Sequence, residues 1–219
     1  GEKIPALGDD FEIARRGPPG TPAGTVKVRN TWLSVEGGRV RNIDYQAYLA
    51  FVAGNQALKT VPAFDATAST GATTVAGENT LFGSAKVEYA NFTPYAWNNN
   101  AVRGDASGPD DTGQDWNAYI AGPGADLARQ IRMTSPLPYL RSATATAAPY
   151  WYVRHGLLDR DTSFATQATL NAAIRNDPSV KGVDFKIAWM QGHAGNYDVQ
   201  EAYRWLARVL KEAGDPAPR

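Results

Sequence analysis

The sequence contains no cysteine and only two histidines among its 219 residues. Without thiols there is no disulfide framework, no thiolate metal site and no cysteine nucleophile. The compartment stays open on this count, because exported proteins can also lack cysteine. Net charge is missing too: 22 basic and 22 acidic side chains cancel, which excludes a dedicated nucleic-acid binder with its surplus of Lys and Arg. Apolar runs are interrupted well short of the roughly 20 residues that a membrane helix needs, so no membrane span is expected. No charged segment followed by an apolar one reads as a signal peptide. The chain begins at Gly1 rather than Met, a start expected from processing or from where the piece was cut. What remains is 43% hydrophobic, enough for the core of one large domain or two small ones.

Along the chain, residues 1–29 carry a Gly/Pro cluster, Gly17-Pro18-Pro19-Gly20-Thr21-Pro22, and predict an extended arm. Alternation at Val26 and Val28, then Trp32, Leu33 and Val35 before Gly37-Gly38, predicts strands. Residues 43–58 predict a helix with Asp44 as cap. The stretch 62–117 is rich in Gly, Asn, Asp and Thr with interspersed aromatics, the composition of a lid or binding insertion. Tyr150-Trp151-Tyr152-Val153 reads as a strand buried on both faces, followed by a helix over about 163–175. A second strand follows, in which Val183, Phe185, Ile187 and Trp189 alternate with Asp184, Lys186 and Ala188. The last helix shows Val199, Ala202, Tyr203, Leu206, Val209 and Leu210 at helical spacing, with Asp198 and Glu201 as a capping box. Strand, helix, strand, helix with short connections is a parallel α/β layout.

In such a layout reactive groups collect on loops at the carboxyl ends of strands. Each of the two loops carries one histidine. The first runs Arg154-His155-Gly156-Leu157-Leu158-Asp159-Arg160-Asp161-Thr162-Ser163, and the second Met190-Gln191-Gly192-His193-Ala194-Gly195-Asn196-Tyr197-Asp198. A carboxylate after one strand and a histidine after the next is the order of acid and base in an α/β-hydrolase triad. There the imidazole takes the serine proton and the carboxylate fixes its tautomer. Asp161 sits just before a helix and reads first as its cap, so Asp159 is the expected acid and His193 the expected base. His155 is expected to pack or hydrogen-bond behind them. A metal site from His155, Asp159, Asp161 and His193 lacks HExxH or comparable ligand spacing, and no cofactor is expected. None of the eight serines (Ser34, Ser69, Ser84, Ser107, Ser135, Ser142, Ser163, Ser179) stands in a G-x-S-x-G elbow, so the nucleophile is expected on another polypeptide.

The segment Tyr152–Ser163 and the loop Gly192–Asp198 with its following helix resemble bacterial tannases, α/β-hydrolases that cleave esters of gallic and related phenolic acids. Weaker echoes lie at Pro62-Ala63-Phe64-Asp65, Glu78-Asn79-Thr80-Leu81-Phe82-Gly83 and Ser135-Pro136-Leu137-Pro138-Tyr139-Leu140. The resemblance implies Asp159 as triad acid, His193 as general base and Asp161 as acceptor for the phenolic hydroxyls. By position it also implies Lys59 and Glu78 as ring contacts from a lid. It implies a division into an arm (1–29), a lid insertion (30–140) and the C-terminal part of an α/β-hydrolase core (141–219). The expected partners are an N-terminal chain bearing the serine and a phenolic ester substrate. Fungal relatives use disulfides beside the triad, so the absence of cysteine points to the bacterial branch. Two other classes fit the composition: a non-catalytic domain gripping an aromatic or carbohydrate ligand, and a feruloyl esterase, lipase or peptidase on the same fold.

Overall fold

A computed structural model of the chain describes residues 4–15, 24–56, 64–65, 75–100, 106–193 and 195–214. The chain divides into two compact units, Gly1–Leu58 with Tyr152–Gln167 and Asp184–Arg219, and Lys59–Trp151 with Ala168–Val183. This division differs from the boundaries expected at 29/30 and 140/141, because residues up to 58 fall in the unit that holds both candidate loops.

In the first unit the expected arm is a hairpin. β1 (Asp10–Arg15) pairs antiparallel with β2 (Gly24–Arg29), setting Phe11 opposite Val28 and Ile13 opposite Val26. The apolar alternation at Phe11 and Ile13 drives this pairing, because it lays one face on the core, where Ile13 is buried. The Gly17–Pro22 cluster lies outside the described residues. Asn30, fully buried, ties the segment down: its amide donates to the carbonyls of Pro5 and Leu33 and its oxygen accepts from the N–H groups of Trp32 and Leu33.

β3 (Leu33–Glu36) and β4 (Arg39–Ile43) form a second hairpin. Gly37 and Gly38 turn it at φ of 57° and 73°, where side chains with a Cβ are strained. α1 (Tyr45–Asn55) starts at Asp44, whose carboxylate accepts from the Ala47 N–H at 2.9 Å. Its Tyr48, Phe51 and Val52 bury against Ile13, Trp32, Leu33, Leu157, Leu158 and Met190. Tyr48 also donates its hydroxyl to the carbonyl of Leu157 at 2.8 Å, so α1 clamps the backbone that leads to Asp159.

β5 (Tyr150–Gly156) and β6 (Gly182–Ala188) form a sheet, with α7 (Phe164–Arg175) between them in sequence. At one end Pro149 accepts from the N–H groups of Lys181 and Gly182, and at the other Leu157 donates to Ala188. The strands therefore run parallel, as expected. Burial of β5 on both faces is corrected: Tyr150 to Arg154 are only partly buried, and His155 and Gly156 alone are fully buried, because among the described residues β5 has a single neighbouring strand. α8 (Val199–Glu212) has the expected apolar stripe, but only Val209 is buried, and Val199, Tyr203, Leu206 and Leu210 are 41–66% exposed. The capping box is also corrected. Asp198 is the N-cap yet makes no side-chain cap bond, forgoing about 1 kcal/mol of helix stabilisation, because its carboxylate is engaged by Arg154 and Tyr152.

The second unit contains short helices, in the loop-rich stretch and just after it: α2 (Gly77–Leu81), α3 (Pro94–Asn98), α4 (Pro109–Thr112), α5 (Trp116–Ala121) and α6 (Ala125–Thr134). Buried polar groups replace apolar mass in ordering them. Asp65 accepts from the N–H groups of Phe92 and Thr93 at 3.0 and 2.7 Å and from the Asn79 amide, and Trp97 stacks on Tyr119 at 3.9 Å. Asp65 and Asn79, both in motifs that echo the tannases, thus hold the fold of this unit.

Candidate active site

Two loops of the first unit meet at the end of the β5–β6 sheet. Backbone bonds register them: Leu157 N–H donates to Ala188 at 3.0 Å and Leu158 N–H to Gln191 at 2.8 Å. A Cβ on Gly156 would overlap the carbonyls of Gln191 and Gly192, so only glycine admits this approach. Met190 takes φ of 50° as the chain leaves β6, a left-handed conformation of order 1–3 kcal/mol for such a residue. Tyr197 folds back over the loop, its hydroxyl donating to Gly192 and its ring occupying the space beside Gly195.

This packing brings His193 Nδ1 within 3.1 Å of both carboxylate oxygens of Asp159. The Asp159 side chain is 6% exposed and that of His193 43% exposed, a buried carboxylate beside an accessible imidazole. Asp159 Oδ1 also accepts from the N–H groups of Asp161 and Thr162 at 2.7 and 3.0 Å. The capping duty expected of Asp161 is corrected accordingly. Asp159 closes the turn and Ser163 accepts from the Ala165 N–H as α7 begins. Asp161 lies 11% exposed with Oδ2 3.9 Å from His193 Nδ1. His155, at the end of β5 rather than in the loop, is buried with Nδ1 3.7 Å from Asp159 and its ring steeply inclined to that of Phe164.

Of the other expected residues, Lys59 lies outside the described residues, and Glu78 is exposed in the first turn of α2, in the second unit. Ligand atoms of Asp159, Asp161 and His193 fall within 4.8 Å of one another, a spacing that a cation could bridge and that local sequence motifs do not reveal, since Asp159 and His193 stand 34 positions apart.

Burial alone would raise the Asp159 pKa, but the His193 hydrogen bond and the two backbone N–H groups outweigh it and hold the carboxyl below its usual range. Burial lowers the His155 pKa below its ordinary 6.5, against the pull of Asp159. Asp198 is likewise lowered: burial opposes the shift, while the Arg154 and Tyr152 hydrogen bonds drive it. All three groups therefore bind protons less tightly when folded than when unfolded, so each contributes stability that is lost as pH falls. The His155 share is full above pH 6.5 and is lost as pH drops through its lower folded value; the carboxylate shares go at still lower pH. Thermal midpoints between pH 7 and 5 are expected to decline, and His155→Gln to flatten that decline. An unchanged slope in His155→Gln rejects this assignment.

The chain is similar to solved structures of bacterial tannases. It matches the native tannin acyl hydrolase of Lactobacillus plantarum at 30% identity and a TM-score of 0.58, over 82% of this chain and 33% of that one. It matches a tannin acyl hydrolase in complex with 3,4-dihydroxybenzoate at 30% identity and a TM-score of 0.59, with the same coverage. The tannase of Fusobacterium nucleatum matches at 26% identity and a TM-score of 0.54, over 81% of this chain and 32% of that one. The chain thus spans about a third of the length of these structures, and its α/β fold is α/β-hydrolase-like. No family model and no curated protein matches it.

Proposed function

We propose that this chain, similar to bacterial tannases over four-fifths of its length, is the C-terminal, acid- and base-bearing part of a tannase-like serine esterase acting on gallic or related phenolic acid esters. The observation that carries this reading is the contact of His193 Nδ1 with both oxygens of a buried carboxylate, Asp159. With Nδ1 donating to Asp159, Nε2 is the nitrogen that takes the serine proton and returns it to the leaving alcohol. Asp159 holds the ring in that tautomer and stabilises the imidazolium. The serine attacks the ester carbonyl, the acyl-enzyme forms, and water, activated by the same imidazole, releases the phenolic acid. An N-terminal polypeptide supplies the serine. β5, with a single neighbouring strand among the described residues, and the exposed apolar stripe of α8 support such a partner.

Asp161, beside the imidazole, is the acceptor for phenolic hydroxyls, since an ionised carboxylate takes hydrogen bonds from two adjacent O–H groups. Lys59 and Glu78 are proposed as further ring contacts. Relatives solved with 3,4-dihydroxybenzoate and with ethyl gallate support a phenolic substrate.

A serine-directed organophosphorus reagent tests the reading. The assembled protein should hydrolyse ethyl gallate, lose that activity on labelling, and carry the adduct on a serine outside these 219 residues. An adduct on any of the chain's own eight serines overturns it. Asp161→Asn is expected to narrow the preference for ethyl gallate over ethyl benzoate by about 10-fold or more, measured as the ratio of kcat/KM values. An unaltered ratio removes Asp161 from ring recognition.

A further inference from the structure

Arg154 is the most heavily engaged cation among the described residues, and nothing in the hydrolytic scheme above uses it. It lies on β5 two positions before Gly156, with its side chain 9% exposed. Nε donates to Asp198 Oδ2 at 2.6 Å, and Nη1 donates to the Asp184 carboxylate at 3.0 Å and to the carbonyls of Asp184 and Val153 at 2.9 Å. Nη2 stands 3.7 Å from Glu201. The Tyr152 ring lies 3.7 Å beneath the guanidinium, and its hydroxyl donates to the same Asp198 oxygen at 2.8 Å.

These partners lie on the two elements that flank the His193 loop, β6 and α8. Asp184 belongs to the strand from which the loop departs, and Asp198 and Glu201 belong to the junction at which it enters α8. The departing end is already registered on β5 by the backbone bonds of Leu157 and Leu158. The entering end is tied to β5 through the Asp198 carboxylate, whose Oδ2 accepts from both Arg154 Nε and the Tyr152 hydroxyl. Asp198 occupies the N-cap position without capping, so its carboxylate serves β5 in place of its own helix. A planar guanidinium that donates to two carboxylates and two carbonyls sets orientation as well as distance, which an ammonium cannot do.

We infer that Arg154 is a positioning residue for the general base: by holding Asp198 against the strand that leads to Asp159, it fixes the C-terminal root of the loop and so the placement of the His193 ring. This rests on the esterase reading above. An imidazole displaced by an ångström serves proton transfer poorly even when everything else is folded.

The test compares two esters of one acid in the assembled enzyme, ethyl gallate and the 4-nitrophenyl ester. The ethoxide leaving group needs a proton from His193 as it departs, whereas 4-nitrophenolate does not. Arg154→Lys keeps the charge and loses the fork, and Asp198→Asn keeps the shape and loses the charge. In variants with wild-type thermal midpoints, kcat/KM for ethyl gallate should fall about 10- to 100-fold and for the nitrophenyl ester several-fold less. The double variant should be no worse than the worse single, since the pair acts as a unit. Equal losses on both esters, additive losses in the double variant, or no loss at all overturn the inference. His193→Ala separates the premises. If it abolishes hydrolysis while Arg154→Lys slows both esters alike, the positioning role alone falls; if it retains wild-type hydrolysis, the esterase reading falls and the positioning role with it.

Discussion

Asp159→Asn should lower kcat for ethyl gallate in the assembled enzyme by about 10⁴-fold, with the thermal midpoint nearly kept. The geometry separates the two duties of this side chain. Oδ1 holds the turn through the N–H groups of Asp161 and Thr162, and an asparagine oxygen in the same place accepts both. What changes is the atom presented to His193. In the carboxylate, both oxygens face Nδ1 at 3.1 Å and accept its proton. In asparagine the amide nitrogen takes one of those places and can only donate. Nδ1 must then become the acceptor, the ring proton moves to Nε2, and the nitrogen meant to take the serine proton is already occupied. The imidazolium formed during attack also loses its buried counter-charge. KM should stay within a few-fold, because neither change touches ground-state binding. A loss below about tenfold would show that Asp159 is a turn residue only.

How much of this was legible beforehand depends on whether the signal was local. Asp44 capping α1, the Gly37-Gly38 turn and the strand β6 are read from neighbours within a few positions, and the structure contains each of them. The two loops were likewise legible, because strand ends and scarce histidines are visible in one dimension. Other features turn on partners far away in sequence. Asp198 and Glu201 satisfy the capping-box pattern, yet Arg154, 44 positions earlier, takes the Asp198 carboxylate, and tertiary pairing overrides the local preference. Phe11 and Ile13 were obscured by the Gly/Pro cluster that follows them. The left-handed Met190 has no sequence signature, since methionine does not favour that conformation. The stripe on α8 was legible as apolar but not as exposed, because periodicity names a face that is to be covered and says nothing about which chain covers it.

Gly156→Ala should be the most damaging single methyl group in the first unit. The new Cβ would sit inside the carbonyls of Gln191 and Gly192 and 2.9 Å from the Gln191 carbonyl carbon. All of these are backbone atoms, so no rotamer change relieves the overlap. Either β5 retreats or the His193 loop lifts. β5 is anchored by Tyr48 on the Leu157 carbonyl and by the buried Leu157 and Leu158, so the loop is the part that moves. Lifting it stretches the Leu158 N–H bond to Gln191, now 2.8 Å, and carries His193 away from an Asp159 that stays with its own turn. A shift near 1 Å is expected to lower kcat by about 10²-fold or more, with a stability loss of about 1–3 kcal/mol from overpacking. Gly54→Ala provides the contrast. Gly54 lies in α1 with nothing near its added Cβ, so the methyl there should leave kcat unchanged and raise stability by roughly 0.5–1 kcal/mol. Steady-state kinetics and denaturant unfolding on the two variants separate the outcomes. If Gly156→Ala retains wild-type kcat, the close approach of the two loops does not set the His193–Asp159 distance, and the active site proposed here loses its scaffold.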